Sequence, residues 1–465
     1  MMARRRRPAT LRRCARLIHG DTVEAAQAAD VSTQAPAPTP RWQTLECIKQ
    51  KPPGSLMRQV ISSRQLQLGS VPSRSCNNKT IKHNHSSDPN ARCELPFTGF
   101  ELLFLGTSAG SPSVRRNPTA VCLRTDKSNW MFDCAEASLR QLMMSTIRVP
   151  STDKFFVTHL HGDHLYGLPG ILCTLDTHHD SYIGPLTQKP APYPISVYGP
   201  LGVFAYLNTA FMTSSTRLTN LVVTVHELVT PEMVENATPF EKYAREAPTH
   251  PSMRREYIYG ESNGNDLVWN VFEDASHKVT ASTLKHTVLS FGYVVEEHAQ
   301  PGKLRADLLK ARGLRPGPAY RLLKEGQTVT LPNGDVILPS EVMGPSTRGR
   351  KAVILGDTAD SSCLFDIGRN CDVLVHEATL SHDMVQRAVE RGHSTARMAG
   401  YTARRLNATL LALTHFSHRF REWAPHAVGT TQHLALDAQV TFGRKAVVAA
   451  TDFLRIPIAR APSHE

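Results

Sequence analysis

The stretch Phe155-Phe156-Val157-Thr158-His159-Leu160-His161-Gly162-Asp163-His164 decides how the rest of this chain is read. An apolar run leads into it, as a buried strand would. On extended backbone, residues i and i+2 project to the same side, so His159 and His161 can grip one cation together. Gly162 lets the chain turn, and Asp163 and His164 can open the next helix and reach a second cation. Imidazole nitrogen and carboxylate oxygen are the donors that suit borderline divalent ions. A lone histidine is ordinarily a core or surface residue. The compound pattern H-x-H-x-D-H directly behind an apolar strand marks a metal site.

Three further donors stand where other apolar runs stop. His286 follows Val279 to Leu284, Asp357 follows Ala352 to Leu355, and His415 follows Leu410 to Thr414. A polar ligand emerging at the end of each buried strand suits a site along one edge of a sheet. Asp357, with two carboxylate oxygens, is the candidate to bridge two cations. Other predicted strands are Glu101 to Leu105, Thr119 to Arg124, Trp130 to Asp133, Lys154 to Thr158, Ile195 to Tyr198, Phe291 to Glu296 and Val373 to His376, with a helix over Ala135 to Met144. Strands interleaved with helices predict a layered α/β domain.

Composition narrows the field. The 465 residues can bury a large core, and no run of eighteen apolar residues offers a membrane-spanning helix. Nine cysteines without a C-x-x-C pair do not read as a disulfide framework and fit a reducing compartment. The formal charge of +12 is unevenly spread: the first twenty residues hold seven arginines, and without them the remainder carries only +5. Residues 1–95, with that arginine run, a Pro-rich piece (Ser32 to Pro40) and a polar piece (Ser70 to Asn90), read as a disordered leader. Its Arg-rich, acid-free start is that of a transit peptide for a mitochondrion or plastid, with a nuclear-type basic cluster or a solubilising tail on a cytoplasmic chain as the alternatives. From Phe97 the texture is globular, which gives a domain over 96–458 and a short tail over 459–465.

The order H-x-H-x-D-H, a lone histidine, G-D-T, then T-H-F-S resembles the metallo-β-lactamase fold, and more narrowly ribonuclease Z, the tRNA 3′-processing endonuclease. The narrower likeness rests on Phe104-Leu-Gly-Thr-Ser-Ala-Gly-Ser-Pro112 with Arg116-Asn117, and on Met131-Phe-Asp-Cys-Ala-Glu-Ala-Ser138. Ser290-Phe-Gly-Tyr293, His376-Glu-Ala-Thr379, Gly392-His-Ser-Thr395 and Leu413-Thr-His-Phe-Ser417 also match. It runs from about Phe97 to Pro457, and with a single metal block it is the short form that is resembled. The resemblance implies an αββα sandwich with a protruding basic arm. It implies two Zn²⁺ per subunit, one held by His159, His161 and His286, the other by Asp163, His164 and His415, with Asp357 bridging. Such ions activate water near neutral pH and neutralise charge growing on phosphate. Glu377 and His393 are implied as the pair that protonates the leaving 3′-oxygen, and Asp163 as a base beside its ligand role. His376 is read as structural, and His178, His179, His382 and His418 as surface residues.

The implied substrate is precursor tRNA and the implied assembly a homodimer. Within Pro301 to Lys324 stand Lys303, Arg305, Lys310, Arg312, Arg315, Arg321 and Lys324 against the one acid Asp307. At its centre, Gly313-Leu-Arg-Pro316-Gly317-Pro318 resembles the family's flexible tRNA-gripping arm, placed here within 299–350. Lysine and arginine on phosphate give salt-dependent affinity without reading sequence. Arg116 of the opening loop is a further expected RNA contact. Two departures from the pattern are Ala135 and Ala137 where glycines are usual, and Val114 where many bacterial members carry lysine. A hydrolase of small thioesters or cyclic phosphodiesters would share the metal ligands, but it would need neither the arm nor the H-E-A-T and H-S-T loops. An inactive relative would have eroded ligands, and all seven are intact.

Overall fold

The computed structural model describes residues 97–180, 191–264, 266–421 and 429–460. The leader expected over 1–95 and the end of the 459–465 tail therefore lie outside the described residues. The strands, numbered along the chain, divide between two large sheets. The first holds β1 (Phe100–Gly106), β2 (Ala120–Thr125), β3 (Asn129–Phe132), β4 (Thr152–Phe156), β5 (Tyr193–Pro200), β6 (Leu221–Val229), β7 (Met253–Tyr259) and β18 (Arg455–Pro457). Its order is β18-β1-β2-β3-β4-β5-β6-β7. The second holds β8 (Glu261–Asn263), β9 (Asp266–Glu273), β10 (His277–Leu284), β11 (Ser290–Glu297), β14 (Lys351–Leu355), β15 (Val373–Glu377), β16 (Leu410–Thr414) and β17 (Val447–Ala449). Its order is β17-β16-β15-β14-β11-β10-β9-β8.

Each sheet is antiparallel in one half and parallel in the other: β3 to β7 run parallel, as do β14 to β17. Parallel neighbours need long crossovers, and these carry the helices to the outer faces. One apolar cluster fills the space between the sheets, from Phe100, Trp130 and Phe156 on one to Trp269, Phe291 and Tyr293 on the other. A second cluster packs the outside of the first sheet under the helices Leu168–Asp180 and Val203–Thr213. A third covers the second sheet beneath Ala396–Arg405 and Thr431–Phe442. Four layers result, helix, sheet, sheet, helix, which is the αββα sandwich of the metallo-β-lactamase fold.

An aromatic ladder lies directly beneath the loop that follows β4. Phe156 stacks on Phe132 at 4.8 Å and on Tyr198 at 5.0 Å, because the three occupy matched positions on β3, β4 and β5. Tyr293 meets Phe156 edge-on at 5.4 Å from the opposing sheet, and its hydroxyl donates to the Val157 carbonyl at 2.7 Å. Burying such rings contributes roughly 1.5–3 kcal/mol apiece. It also fixes the height at which the chain leaves β4.

The segment between β11 and β14 folds on a small core of its own. Leu309 and Leu323, from helices Ala306–Ala311 and Pro318–Lys324, pack with Val329, Leu331, Ile337 and Val342 around the hairpin β12 (Val329–Thr330) and β13 (Val336–Ile337). Its two ends run side by side as a neck, with bridges Gln300↔Thr347 and Leu304↔Met343. Gly302 is required there: a Cβ on it would sit 1.8 Å from the Gly344 carbonyl oxygen.

Candidate active site

Each donor leaves the sandwich from the same edge, where strands of both sheets end. β4 stops at Phe156, two residues short of the expected Thr158, so that Val157 and Thr158 are free to tie the loop down. Asp133, directly after β3 and itself in the left-handed region at φ 58°, accepts from the Thr158 amide at 2.7 Å and its hydroxyl at 2.8 Å. His159 and His161 follow, and Gly162–Leu165 forms one helical turn that presents Asp163 and His164. His286 follows β10, Asp357 follows β14 and His415 follows β16.

The ring and carboxylate atoms converge. His161 Nδ1 lies 3.1 Å from His159 Nε2 and 3.3 Å from His286 Nε2. Asp163 Oδ2 lies 3.6 Å from His164 Nε2 and 3.4 Å from His415 Nε2. Asp357 Oδ2 stands between the two groups, 3.8 Å from His159, 3.4 Å from His164 and 3.3 Å from His415. Ligands about 2.0–2.1 Å from a tetrahedral zinc are separated by about 3.3–3.4 Å. The donors are therefore spaced as ligands of shared cations would be. His164 Nε2 supports the same conclusion, being buried without a hydrogen bond while facing two carboxylates. The seven residues fit a metal centre.

Electrostatics differ among the donors: burial works against a charge on His164, yet the Asp357 and Asp133 carboxylates outweigh it and push its proton affinity up. Burial, together with the neighbouring rings, pushes the proton affinity of His159, His161 and His286 down, leaving the neutral imidazole that a cation requires. Burial works against ionisation of Asp357, but the surrounding imidazoles outweigh it and hold the carboxyl well below its usual range. Asp163 is likewise held low against its burial, by a hydrogen bond from His415 and by His164. It also accepts the Gly110 amide at 2.7 Å.

Around the ligands stands a layer of orienting groups that sequence reasoning did not single out. Asp133 Oδ2 faces His164 Nδ1 at 2.7 Å, the Gly392 carbonyl faces His286 Nδ1 at 2.7 Å, and the Thr379 hydroxyl faces His415 Nδ1 at 2.8 Å. Each fixes which nitrogen points inward. Asp133 obeys the rule that selected Asp357, an acid straight after a buried strand, and could have been found by it.

Glu377, at the end of β15, accepts the Thr358 amide at 2.7 Å and faces His393 Nδ1 at 3.2 Å. Burial lowers the basicity of His393, but the Glu377 hydrogen bond and charge prevail and push its pKa up to about 9. The ring keeps about a fifth of its surface open. His376 is buried and faces its neighbour's carbonyl at 2.8 Å, outside the donor cluster. His179 stacks on Tyr193, His382 faces Thr395 and His418 faces Ser111, so these three have local partners without joining the cluster.

Arg116 corrects an expectation. It is 5% exposed, donates to Thr107 Oγ1 at 2.7 Å and to the Ala450 carbonyl at 2.8 Å, and lies over the Phe416 ring. It pins the opening loop to the body, with its guanidinium turned to internal partners. Lys303, Arg305, Lys310, Arg312 and Arg315 are exposed on the arm. Arg305 lies 3.5 Å from Asp307, and Arg312 pairs with Glu341 at 2.7 Å. Gly313, Pro316 and Gly317 lie in the exposed turn between the arm's first two helices, and Pro318 opens the second.

Comparison with known proteins agrees with this geometry. A family model described as Anti-Pycsar protein Apyc1 matches residues 100–183. The zinc phosphodiesterase ELAC protein 1 of Homo sapiens is 37% identical over 369 residues, 77% of this chain and 98% of that protein. Ribonuclease Z of Bacillus subtilis is 35% identical over 369 residues, 77% of this chain and 99% of its own length. The crystal structure of human tRNase Z, short form, covers 77% of this chain and 99% of its own at 28% identity, with a TM-score of 0.49. Matched to such relatives along nearly their whole length, the chain belongs to the ribonuclease Z family.

Proposed function

We propose that this chain is a zinc-dependent endoribonuclease that removes the 3′ trailer from precursor tRNA, leaving a 3′-hydroxyl on the tRNA and a 5′-phosphate on the trailer. The observation that carries it is the convergence of seven donors, Asp357 central among them, beside the Glu377–His393 pair. Our reading is two zinc ions per subunit: His159, His161 and His286 would hold one, and Asp163, His164 and His415 the other, with Asp357 available to both. Bound there, zinc lowers the pKa of water and neutralises charge gathering on the phosphate.

The chain's own residues do the rest. The bond broken joins phosphorus to the 3′-oxygen, while water supplies the new oxygen on phosphorus. His393, protonated at neutral pH through Glu377, hands its proton to the departing 3′-oxygen. The Thr358 amide holds Glu377 in place for that transfer. Exposed Lys303, Lys310 and Arg315 on the arm contact RNA phosphates away from the cut, so the substrate is recognised by shape. We further propose a homodimer in which the arm of one subunit serves RNA bound at the other. The arginine-rich first twenty residues support delivery to a mitochondrion or plastid.

Incubating the purified protein with a 3′-extended tRNA precursor and sequencing both product ends tests the activity. A 3′-hydroxyl after the tRNA body with a 5′-phosphate on the trailer is the expected outcome; a 3′-phosphate or cyclic phosphate would refute the stated bond. His159→Ala should abolish cleavage and leave tRNA binding within a few-fold. A tagged chain lacking residues 1–90 should keep its activity and lose its organellar position.

A further inference from the structure

A second polar cavity, apart from the metal centre, lies beside β7 and the helix Pro239–Glu246. It measures about 450 Å³ and is lined by Phe204, Arg245, Thr249, Arg254, Arg255 and Tyr257, among others. Three of these are arginines, and their hydrogen bonding differs. Arg245 spends one nitrogen on the Val234 carbonyl at 2.9 Å, while its Nε and Nη2 are buried without a partner among the described residues. Arg255 donates from Nε to Glu227 at 2.7 Å and lies 3.4 Å from Glu241, while its Nη1 is likewise buried and unpartnered. Arg254 is anchored by the Pro251 and Met253 carbonyls.

A buried guanidinium nitrogen without a partner is costly, and an anion entering the cavity would accept such bonds. The two nearby carboxylates do not suffice. Glu227 is already committed to the Gly202 and Phe204 amides and to Arg255, and Glu241 approaches Arg255 at the edge of hydrogen-bond range. Glu227 and Glu241 are the carboxylates that meet Arg255, and neither forms an ion pair with Arg245 or Arg254 among the described residues. Guanidinium forks match the oxygens of phosphate in pairs. Tyr257 and Phe204 flank Arg255 at 5.1 and 5.0 Å and offer flat apolar walls next to that charge.

We propose that this cavity is a binding site for a small phosphate-bearing ligand, separate from the catalytic centre and independent of the activity assigned to it. The phosphate sits on Arg245 and Arg255. The volume and the aromatic wall admit a mononucleotide as well as free phosphate, and the test separates these sources.

Isothermal titration of the zinc-loaded protein with inorganic phosphate and with adenosine monophosphate reads the site directly. Phosphate also has access to the metal centre, so Asp357→Asn is titrated in parallel. Binding that survives in Asp357→Asn and weakens at least tenfold in Arg245→Met is expected. Arg245→Lys should recover part of it, since charge returns without the fork. Tighter binding of the monophosphate than of phosphate names a nucleotide as the ligand, and equal binding names the phosphate group alone. Should Arg245→Met fold poorly, Arg254→Gln provides a second reading from the same wall. Binding abolished by Asp357→Asn and untouched by both arginine variants, or no binding beyond the metal centre, overturns the proposal.

Discussion

Asp133 shows how far the chemistry of the centre depends on residues that touch no cation. It occupies the left-handed region and faces His164 at 2.7 Å while tying down the Thr158 amide. Asparagine tolerates that backbone, so Asp133→Asn removes the charge with little added strain. We expect metal affinity to fall about 10–100-fold with the melting temperature nearly kept, measured by zinc competition with a chelator. His415 is the other left-handed residue of the centre, at φ 56°, and the Thr379 hydroxyl that faces its Nδ1 offsets part of that strain. The proton donor gives a prediction with a sign. His393 carries its proton only below its raised pKa, so activity should decline on the alkaline side as that proton is lost. Glu377→Gln removes the carboxylate that raises it, and the alkaline limb of kcat should move to lower pH. An unmoved limb in the pH–rate profile would assign that proton to another group.

At the level of elements, the strands that carry ligands were legible because each is a short apolar run ended by a donor. Their bounds fell within a few residues: Val279 to Leu284 became His277–Leu284, and Leu410 to Thr414 held unchanged. β7 and β9 were not singled out, since Met253–Tyr259 and Asp266–Glu273 are partly exposed and mix charge with aromatics. Arg116 misled for the opposite reason. A charged residue in a small-residue loop reads as surface, and only the tertiary fold shows the pocket of carbonyl and hydroxyl groups that buries it. The arm's small core also changes how its role should be tested. Cutting out Lys303 to Lys324 would strip Leu309 and Leu323 from Val329 and Ile337 and expose what remained. Removing 303–343 and joining Gly302 to Gly344, which already touch, takes the arm off at its neck. Hydrolysis of a nitrophenyl phosphodiester should persist, while kcat/KM for precursor tRNA drops at least tenfold. Equal loss of both would make the arm a structural part of the centre.

Over the whole molecule, one buried ion pair gathers distant parts of the chain. Arg350, 2% exposed, pairs with Glu297 at 2.6 Å and donates to the Thr98 carbonyl at 2.7 Å and the Ile458 carbonyl at 3.1 Å. It joins both feet of the arm to both margins of the folded part. Breaking a buried pair from one side costs about 3–5 kcal/mol, so Glu297→Gln should lower the melting temperature by several degrees. Burial works against the Glu297 charge, yet Arg350 holds its carboxyl below the ordinary glutamate range. The stability this supplies is present above that ordinary range and disappears as pH falls through the depressed value. In Glu297→Gln the acid limb of the stability curve should flatten, as thermal melts across pH would record.

The side-by-side course of β1 and β18, with the Thr98 hydroxyl donating to the Ile458 carbonyl at 2.9 Å, makes the folded part almost a closed ring. A brief peptide could weld that seam, and the circle could be reopened in the turn Leu331 to Asp335 at the tip of the arm's hairpin. Such a permutant would keep every donor of the metal centre in place while reversing the order in which its two halves are synthesised.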